Sequence, residues 1–316
     1  MVNAIETIGL SKLYSGGVQA VNGLDLKVKK GEVFGFLGPN GAGKTTSIKM
    51  MTGLLKPTSG EVLIEDEKIE VASRDMKRKI GLCPQDIVVC NHLTCMENLL
   101  VIGDMYEIAK GDARKRAKML LEELKLSEKS DALANTLSGG MQRRLNVAMA
   151  LIHDPSIIVL DEPSAGLDPQ SRLVVQDFIA KMGTQEGKTV ILTTHMMDEV
   201  DKLCARVGII DQGKLLVMDT PEALKSNVGK GDVIEITLSD DSKIKQAVDE
   251  LLKIKQIDEA KMMGDKILIR TLDAINKLPR VFEILHGLKA DITNVSMRRN
   301  TLEDVFITLT GKAMRE

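Results

Sequence analysis

The stretch that most constrains this chain is "GPNGAGKTT" at 38–46, which follows a short apolar run and opens a predicted helix. Its glycines let successive backbone N–H groups turn inward around phosphate oxygens, and the helix N-terminus adds a favourable dipole. Lys44 can reach the β- and γ-phosphates of a nucleotide, and the Thr45 hydroxyl can ligate Mg²⁺. The stretch therefore predicts a nucleotide-binding loop made of Gly38, Pro39, Asn40, Gly41, Ala42, Gly43, Lys44, Thr45 and Thr46.

Short apolar runs alternate with helical patterns over the first two-thirds of the chain. The clearest runs lie at 33–38, 60–66, 156–161, 189–195 and 207–213. Residues 157–160 are apolar without alternation, as in strands that are covered on both faces. This order predicts an α/β domain with a largely parallel central sheet.

Two further regions depart from that order. Amphipathic patterns between about 86 and 150 predict a helical subdomain inserted into the α/β core, with an apolar stripe at Ala117, Leu120, Leu121 and Leu124. After about 225, a polar connector leads into a β-α-β-β-α-β pattern and a last helix, which predicts a small ferredoxin-like α+β unit. We therefore expect two domains, over 1–228 and 229–316.

Polar residues end three of the predicted strands. In an open α/β sheet, residues at the carboxyl ends of strands project into one crevice. Asp161, in "SIIVLDEP", is placed to hold Mg²⁺, and Glu162 to polarise an attacking water. His195 ends "TVILTTH" at the same edge and can reach a γ-phosphate, although a lone histidine there is more often structural. Gln85, after another candidate strand, can reach the metal or the water.

These residues describe a P-loop NTPase, and the chain has a second glycine turn, "LSGGMQRR" at 137–144, without a phosphate-binding lysine. Ser138 is a favourable helix N-cap, and Gly139 and Gly140 expose the first helical N–H groups. Taken alone, the pattern is that of an ordinary capped helix. A phosphoryl-transfer site, however, needs more positive charge at the γ-phosphate than one lysine supplies. The chain lacks the guanine-reading string NKxD, which argues against a GTPase.

Composition limits the partners and the compartment. Lys plus Arg is 43 and Asp plus Glu is 45, so no general attraction to nucleic acid is expected, and aromatic residues are only 2%. Four cysteines fit no disulfide framework and predict small, mostly buried thiols in a reducing compartment. We find no signal-peptide pattern and no apolar run near the roughly 18 residues that span a bilayer. These features predict a cytoplasmic protein whose membrane-spanning part, if it works at a membrane, belongs to another chain.

Six motifs in order resemble those of the ATP-binding cassette (ABC) ATPases over about residues 1–225. They are "GPNGAGKTT", Gln85, "LSGGMQRR", "SIIVLDEP", "SAGLD" at 164–168 and His195. The resemblance implies that the chain binds ATP and Mg²⁺. It implies a catalytic set of Lys44, Gln85, Glu162 and His195, and metal ligands Thr45, Gln85 and Asp161.

The same resemblance implies the remaining site residues and a dimer. Tyr14, in "LSKLYSGGVQAV", would stack on adenine. Ser138, Gly139 and Gly140 would be the family's signature motif, which completes the ATP site of a second, head-to-tail subunit. Asp168 would belong to the loop that touches that subunit.

The C-terminal "NTLEDVFITLTGK" at 300–312 is similar to the ending of daunorubicin-resistance ATP-binding proteins and other drug exporters of this family. This resemblance implies the ATPase subunit of an exporter, held at the inner face of the cell membrane by a separate permease. A soluble cassette acting on nucleic acid or in translation is the alternative function. The C-terminal unit can also be read as a small-molecule sensor or a dimerisation domain.

Overall fold

A computed structural model describes residues 3–69, 74–227, 232–254, 257, 259–271 and 274–311 of the chain. The chain divides between Pro221 and Glu222 into two compact units. The predicted domain boundary at 228/229 lies in 228–231, outside the described residues.

The first unit contains two sheets and seven α-helices among its described residues, and an eighth helix begins at the division and continues into the second unit. Its strands are β1 (Asn3–Leu13), β2 (Gln19–Lys29), β3 (Val33–Leu37), β4 (Ser59–Ile64), β5 (Glu67–Lys68), β6 (Ile80–Cys83), β7 (Ile157–Asp161), β8 (Thr189–Thr194), β9 (Arg206–Asp211) and β10 (Lys214–Asp219). Its helices are α1 (Lys44–Met51), α2 (Arg74–Lys79), α3 (Cys95–Met105), α4 (Lys110–Glu123), α5 (Gly139–Leu151), α6 (Pro169–Thr184) and α7 (Met197–Leu203). Helix α8 (Pro221–Asn227) starts on the last residue of the first unit and lies otherwise in the second.

The central sheet has six strands in the order β10-β9-β3-β8-β7-β6. All neighbours are parallel except β10, which pairs antiparallel with β9. Strands β3, β7 and β8 are buried along their whole length, as their continuous apolar runs predict. The predicted α/β architecture is therefore confirmed, and the carboxyl ends of β3, β7 and β8 lie along one edge.

A second, antiparallel sheet has the order β2-β1-β4-β5. The run at 60–66 is indeed a strand, β4, but its place in the central parallel sheet is a wrong expectation, because it pairs antiparallel with β1. Strand β2 alternates, with Leu24, Leu26 and Val28 buried and charged residues between them exposed. This alternation in the sequence is the signal for a half-buried antiparallel strand, which the run at 19–29 therefore carries without a long apolar stretch.

Helices α3, α4 and α5 occupy the predicted helical stretch, and α5 ends one residue beyond it. The four residues of the predicted apolar stripe, Ala117, Leu120, Leu121 and Leu124, are all buried, as expected. Helix α3 starts with a reciprocal capping box between Thr94 and Glu97. All four cysteines are free, and they are buried except for Cys90, which is exposed.

The second unit has the predicted order of elements. They are β11 (Asp232–Leu238), α9 (Ile244–Leu251), β12 (Glu259–Met263), β13 (Lys266–Thr271), α10 (Ala274–Gly287), β14 (Ile292–Arg299) and α11 (Leu302–Thr310). The strands pair antiparallel in the order β12-β13-β11-β14, so the first strand of the unit lies between the third and the fourth. Ile234, Ile236, Ile267 and Ile269 pack against the two crossover helices in one apolar core. The arrangement is that of a β-α-β-β-α-β unit with one added helix.

Candidate active site

The nucleotide-binding loop joins β3 to α1. The N-cap of α1 is Gly43, with φ +100°, and no side chain caps the helix, so its first N–H groups are free of side-chain acceptors. A Cβ atom at Gly43 would lie 2.3 Å from the carbonyl oxygen of Ala20. Gly41 also has a positive φ, whereas Gly38 does not, and a Cβ there would lie 2.4 Å from the carbonyl oxygen of Ile210. Gly38 is thus needed for close approach and not for an unusual φ. An uncapped, side-chain-free helix start of this kind fits a phosphate group.

Lys44 is folded back over this loop. Its side chain is only 5% exposed, and Nζ donates to the carbonyl oxygens of Gly38 at 2.7 Å and Pro39 at 3.1 Å. The same Nζ lies 3.4 Å from Oε1 of Glu162. The ammonium group therefore stands between the loop and a buried carboxylate, where it can bridge to phosphate oxygens.

Two acids follow one another at the end of β7, and both are buried. The Thr193 hydroxyl donates to Oδ1 of Asp161 at 2.5 Å, and the same hydroxyl accepts the backbone N–H of Glu162 at 3.0 Å. Glu162 has φ +49°, in the left-handed region that non-glycine residues rarely occupy. Its Oε2 lies 3.0 Å from Nδ1 of His195, directly after β8. The predicted meeting of Asp161, Glu162 and His195 at one sheet edge is therefore observed.

Thr193 and Arg143 also contact the site, although no sequence motif assigns them a role. Thr193 lies on β8, next to β7, and orients both acids through one hydroxyl. A threonine pair before the histidine in "TVILTTH" was the available signal. Arg143 lies in "LSGGMQRR" and donates hydrogen bonds to the backbone carbonyl oxygens of Gln85 and Glu162. No spacing of residues in the sequence predicts that contact.

The oxygen donors near these acids fit Mg²⁺. Thr45 is the second residue of α1, Asp161 ends β7, and the exposed Gln85 lies in the loop after β6. No group of three or more His, Cys, Asp or Glu capable of holding a metal occurs among the described residues. A single carboxylate with hydroxyl, amide and phosphate oxygens is the donor set that Mg²⁺ prefers over an all-protein cage. Burial raises the pKa of the neighbouring Cys83 thiol to about 11, which keeps that sulfur neutral.

The second glycine turn opens α5. Ser138 is its N-cap, and the Ser138 hydroxyl accepts the backbone N–H of Met141 at 3.3 Å, as predicted. A Cβ at Gly140 would meet Oγ of Ser171 at 2.5 Å, whereas a Cβ at Gly139 would meet nothing within 4 Å. Packing within the chain therefore explains Gly140 and leaves Gly139 unexplained.

Tyr14 and Ser138 lie outside the contacts described above. Within the described part of the chain, neither forms a hydrogen bond or ion pair with Lys44, Glu162 or His195. The Tyr14 ring is 39% exposed, and Nζ of Lys12 lies 5.6 Å from its centroid. Asp168 caps α6 by accepting the backbone N–H of Ser171 at 2.9 Å, and this bond lowers the pKa of its carboxyl group.

Comparison with known proteins identifies the family. A family model described as ABC transporter matches residues 21–165. The chain is 36% identical over 313 residues to the Nod factor export ATP-binding protein I of Paraburkholderia xenovorans (strain LB400), covering 99% of each chain. The chain belongs to the ABC transporter ATP-binding family. It is also 35% identical over 309 residues to the daunorubicin resistance ATP-binding protein DrrA2 of Streptomyces coeruleorubidus, covering 98% of this chain and 95% of that protein. The predicted likeness to the daunorubicin-resistance branch is confirmed.

A solved ABC cassette, MJ0796, has the same fold in its dimeric post-hydrolysis state bound to ADP and Pi. It superimposes with a TM-score of 0.63 at 29% identity, over 68% of this chain and 98% of that chain. As an ABC ATPase, the chain binds ATP with Mg²⁺ and hydrolyses it. Across the part of the chain that the structure describes, every helix is too short or too polar to cross a membrane.

Proposed function

We propose that this ABC ATPase drives export of a small molecule through a separate membrane permease. The observation that carries the ATPase part is the placement of Glu162 between Nζ of Lys44 and Nδ1 of His195. The names of the relatives, one an export protein and one a drug-resistance protein, support the export part. In this proposal residues 1–228 form the ATPase domain and residues 229–316 an accessory domain.

The geometry supports a division of labour within the site. Glu162 polarises the attacking water, because its carboxylate is buried and held on both sides. Lys44 moves from the carboxylate and loop carbonyls to the β- and γ-phosphates, and His195 donates to the γ-phosphate. Thr45, Gln85 and Asp161 would hold Mg²⁺, which neutralises charge on the phosphates when it is bound. Tyr14 offers an exposed ring face to adenine.

We further propose that Ser138, Gly139 and Gly140 serve the ATP of a second copy of the chain, arranged head-to-tail. Gly139 is the residue that supports this, since glycine costs stability in a helix and a Cβ at this position would meet no described atom of its own chain within 4 Å. A side-chain-free helix N-terminus supplies N–H donors and a positive dipole end to an approaching γ-phosphate. This helix end would supply the additional positive potential that the γ-phosphate requires beyond Lys44.

Replacing Gly139 with Ala should affect the stability of the chain and its dimerisation in opposite directions. Alanine fills open space in the first turn of α5, so we expect unfolding to become harder by up to about 1 kcal/mol. We also expect the ATP-driven dimer to weaken roughly tenfold, because the methyl group stands between two chains. Thermal unfolding and size-exclusion chromatography with ATP measure the two effects. A stabilised variant that still dimerises like the unaltered chain would contradict the proposed contact.

An apolar groove on the first unit is the candidate contact with the permease. It lies between β6, α3 and α5 and encloses a cavity of about 310 Å³, lined in part by Leu54, Val88 and Met105. These three side chains are more than half exposed, and that of Met105 is 70% exposed. Neighbouring apolar side chains exposed together mark an interaction surface. Through this contact the chain would lie at the inner face of the membrane.

Replacing Met105 with Glu tests the groove and the export proposal together. Placing a charge in an apolar contact should lower permease-stimulated ATP hydrolysis and transport roughly tenfold. Basal hydrolysis should stay within about twofold, because Met105 lies outside the nucleotide site. The matched control is Met119→Glu, which adds the same charge at an exposed methionine of α4 outside the groove. Equal stimulation of both variants would overturn the groove assignment, and a chain that never responds to a permease would overturn the export proposal.

A further inference from the structure

The guanidinium group of Arg143 is buried and bound only to main-chain oxygens among the described residues. Its side chain has five N–H donors. Nε, Nη1 and Nη2 make five hydrogen bonds of 2.6–3.2 Å to the carbonyl oxygens of Pro84, Gln85, Asp161, Glu162 and Pro163. Every donor therefore has its own acceptor.

These five acceptors come from two separate loops. Pro84 and Gln85 follow β6, whereas Asp161, Glu162 and Pro163 end or follow β7. The two strands are parallel neighbours in the central sheet. One side chain of α5 thus holds together the main chain that carries a predicted metal ligand and the main chain that carries the predicted base.

Asn146, one turn further along α5, strengthens the connection to the first loop. Its Nδ2 donates to the carbonyl oxygen of Asp86 at 3.3 Å, and its Oδ1 accepts the backbone N–H of Val88 at 3.3 Å. Segment 84–88 is therefore bound to α5 at both ends. A displacement of the helix must carry this segment with it or break several buried hydrogen bonds.

A charged group in this position is costly unless it is fully bonded. Arg143 is 3% exposed and forms no ion pair with any described residue, so the carbonyl dipoles replace its lost hydration. Lysine, with three donors at one point, cannot span two loops as a planar guanidinium does. A hydrocarbon side chain would fill the same space but would leave the five carbonyl oxygens without this donor.

Arg143 is also close to the end of α5 that bears the second glycine turn. Ser138 precedes it by five residues, which is about 7.5 Å along a helix. The helix N-terminus and the clamp on the two loops therefore move as one short rigid element. Anything that displaces Ser138 and Gly139 also shifts the main chain at Gln85 and Glu162.

We propose that Arg143 is a positioning residue that couples the two ATP sites of the dimer. The inference rests on the proposed dimer, in which the N-terminus of α5 binds the partner's ATP. When the N-terminus of α5 binds the partner's ATP, Arg143 holds Gln85 and Glu162 of its own chain in the positions that hydrolysis requires. An empty partner site leaves the clamp, and with it the base, out of place.

The test compares Arg143→Lys and Arg143→Gln with Arg144→Lys. Arg144 is the matched control, because it lies on the same helix and also donates to main-chain carbonyls. Its Nη1 bonds to Leu124 and Lys125 outside the site, and its Nε makes a longer bond of 3.4 Å to Gly140 within the helix, which lysine, the replacement in the control, does not reproduce. We expect Arg143→Lys to lower kcat roughly 30-fold and Arg143→Gln to lower it further, since misplacement by about 1 Å costs such factors. The Kd for ATP should change by less than about threefold, and the Hill coefficient for ATP should fall toward 1. Arg144→Lys should lower Tm while kcat stays within about threefold.

Several results would overturn the proposal. Arg143→Lys with normal kcat, or with ATP binding and Tm lost in parallel to kcat, leaves Arg143 a structural residue. If the Arg143 variants do not fold, amide hydrogen exchange of the unaltered chain decides. Amide exchange should then slow in the two loops, 84–88 and 161–165, together with 139–145 when ATP drives dimerisation. Unchanged exchange rates in the two loops would contradict the coupling. An unaltered chain without ATP turnover would instead refute the proposed function.

Discussion

We expect Glu162→Gln to lower the ATP turnover number of this chain by a factor of roughly 10³, within the range that a general base contributes. The side chains have the same shape, and the carboxylate that polarises water becomes an amide that does not. ATP binding persists, because the nucleotide-binding loop and Lys44 are untouched. With the γ-phosphate retained, ATP continues to bridge two chains, and the variant accumulates as a dimer.

The surroundings of Glu162 explain why so small a change has so large an effect. Its Oε1 is 3.4 Å from Nζ of Lys44 and its Oε2 is 3.0 Å from Nδ1 of His195. The hydroxyl of Thr193 accepts its backbone N–H. No other described carboxylate shares this position, since Asp161 is turned to Thr193. A replacement base would need the main chain to move.

Phosphate release and size-exclusion chromatography with ATP measure the two expected effects. The matched control is Glu32→Gln, which makes the same chemical change at a carboxylate paired with Arg206 away from the site. Glu32→Gln should lower Tm and leave turnover within about twofold. Glu162→Gln with normal turnover would rule out Glu162 as the base, and a turnover loss without a lasting dimer would separate hydrolysis from dimer release.

The site was predictable where chemistry is local in the sequence. The loop at 38–46 carries its own glycines, lysine and helix start, so one stretch contains the whole argument. The prediction of Asp161, Glu162 and His195 required only the ends of two strands and the rule that parallel strands end at one edge of the sheet. Those residues meet as predicted, with side-chain distances of 3.0 Å between Glu162 and His195.

Residues that act by long-range contact were not predictable in this way. Arg143 binds carbonyls of residues 18 to 59 positions away in the chain, and carbonyls carry no sequence signature. The run at 60–66 has the composition of a strand, yet only its pairing with β1 shows which sheet it joins. Tertiary pairing, and not local preference, decides both cases.

The largest gain of activity is expected when two inactive variants are mixed. Ser138→Arg places a bulky side chain in the second glycine turn, and Lys44→Ala removes the phosphate-binding cation. Alone, each should lower ATP turnover at least roughly 10²-fold. In a head-to-tail dimer, each site combines the nucleotide-binding loop of one chain with the second glycine turn of the other. A mixed dimer therefore has both substitutions in one site and none in the other. At equal amounts, about half of the dimers are mixed and each has one intact site, so one quarter of the unaltered turnover is the upper limit of the recovery. The proposed coupling through Arg143 lowers the recovery below that limit, because the intact site lies in the chain whose α5 faces the damaged site.

The matched control adds the same chain to a different partner. Ser138→Arg mixed with the double variant Lys44→Ala, Ser138→Arg should show no recovery, because every site then contains an altered second glycine turn. Pull-down on two affinity tags establishes that mixed dimers form in both experiments. If Ser138 served the ATP of its own chain, neither mixture would recover. Recovery in the first mixture alone therefore requires that the turn at Ser138 act across the interface, as the unexplained Gly139 indicates.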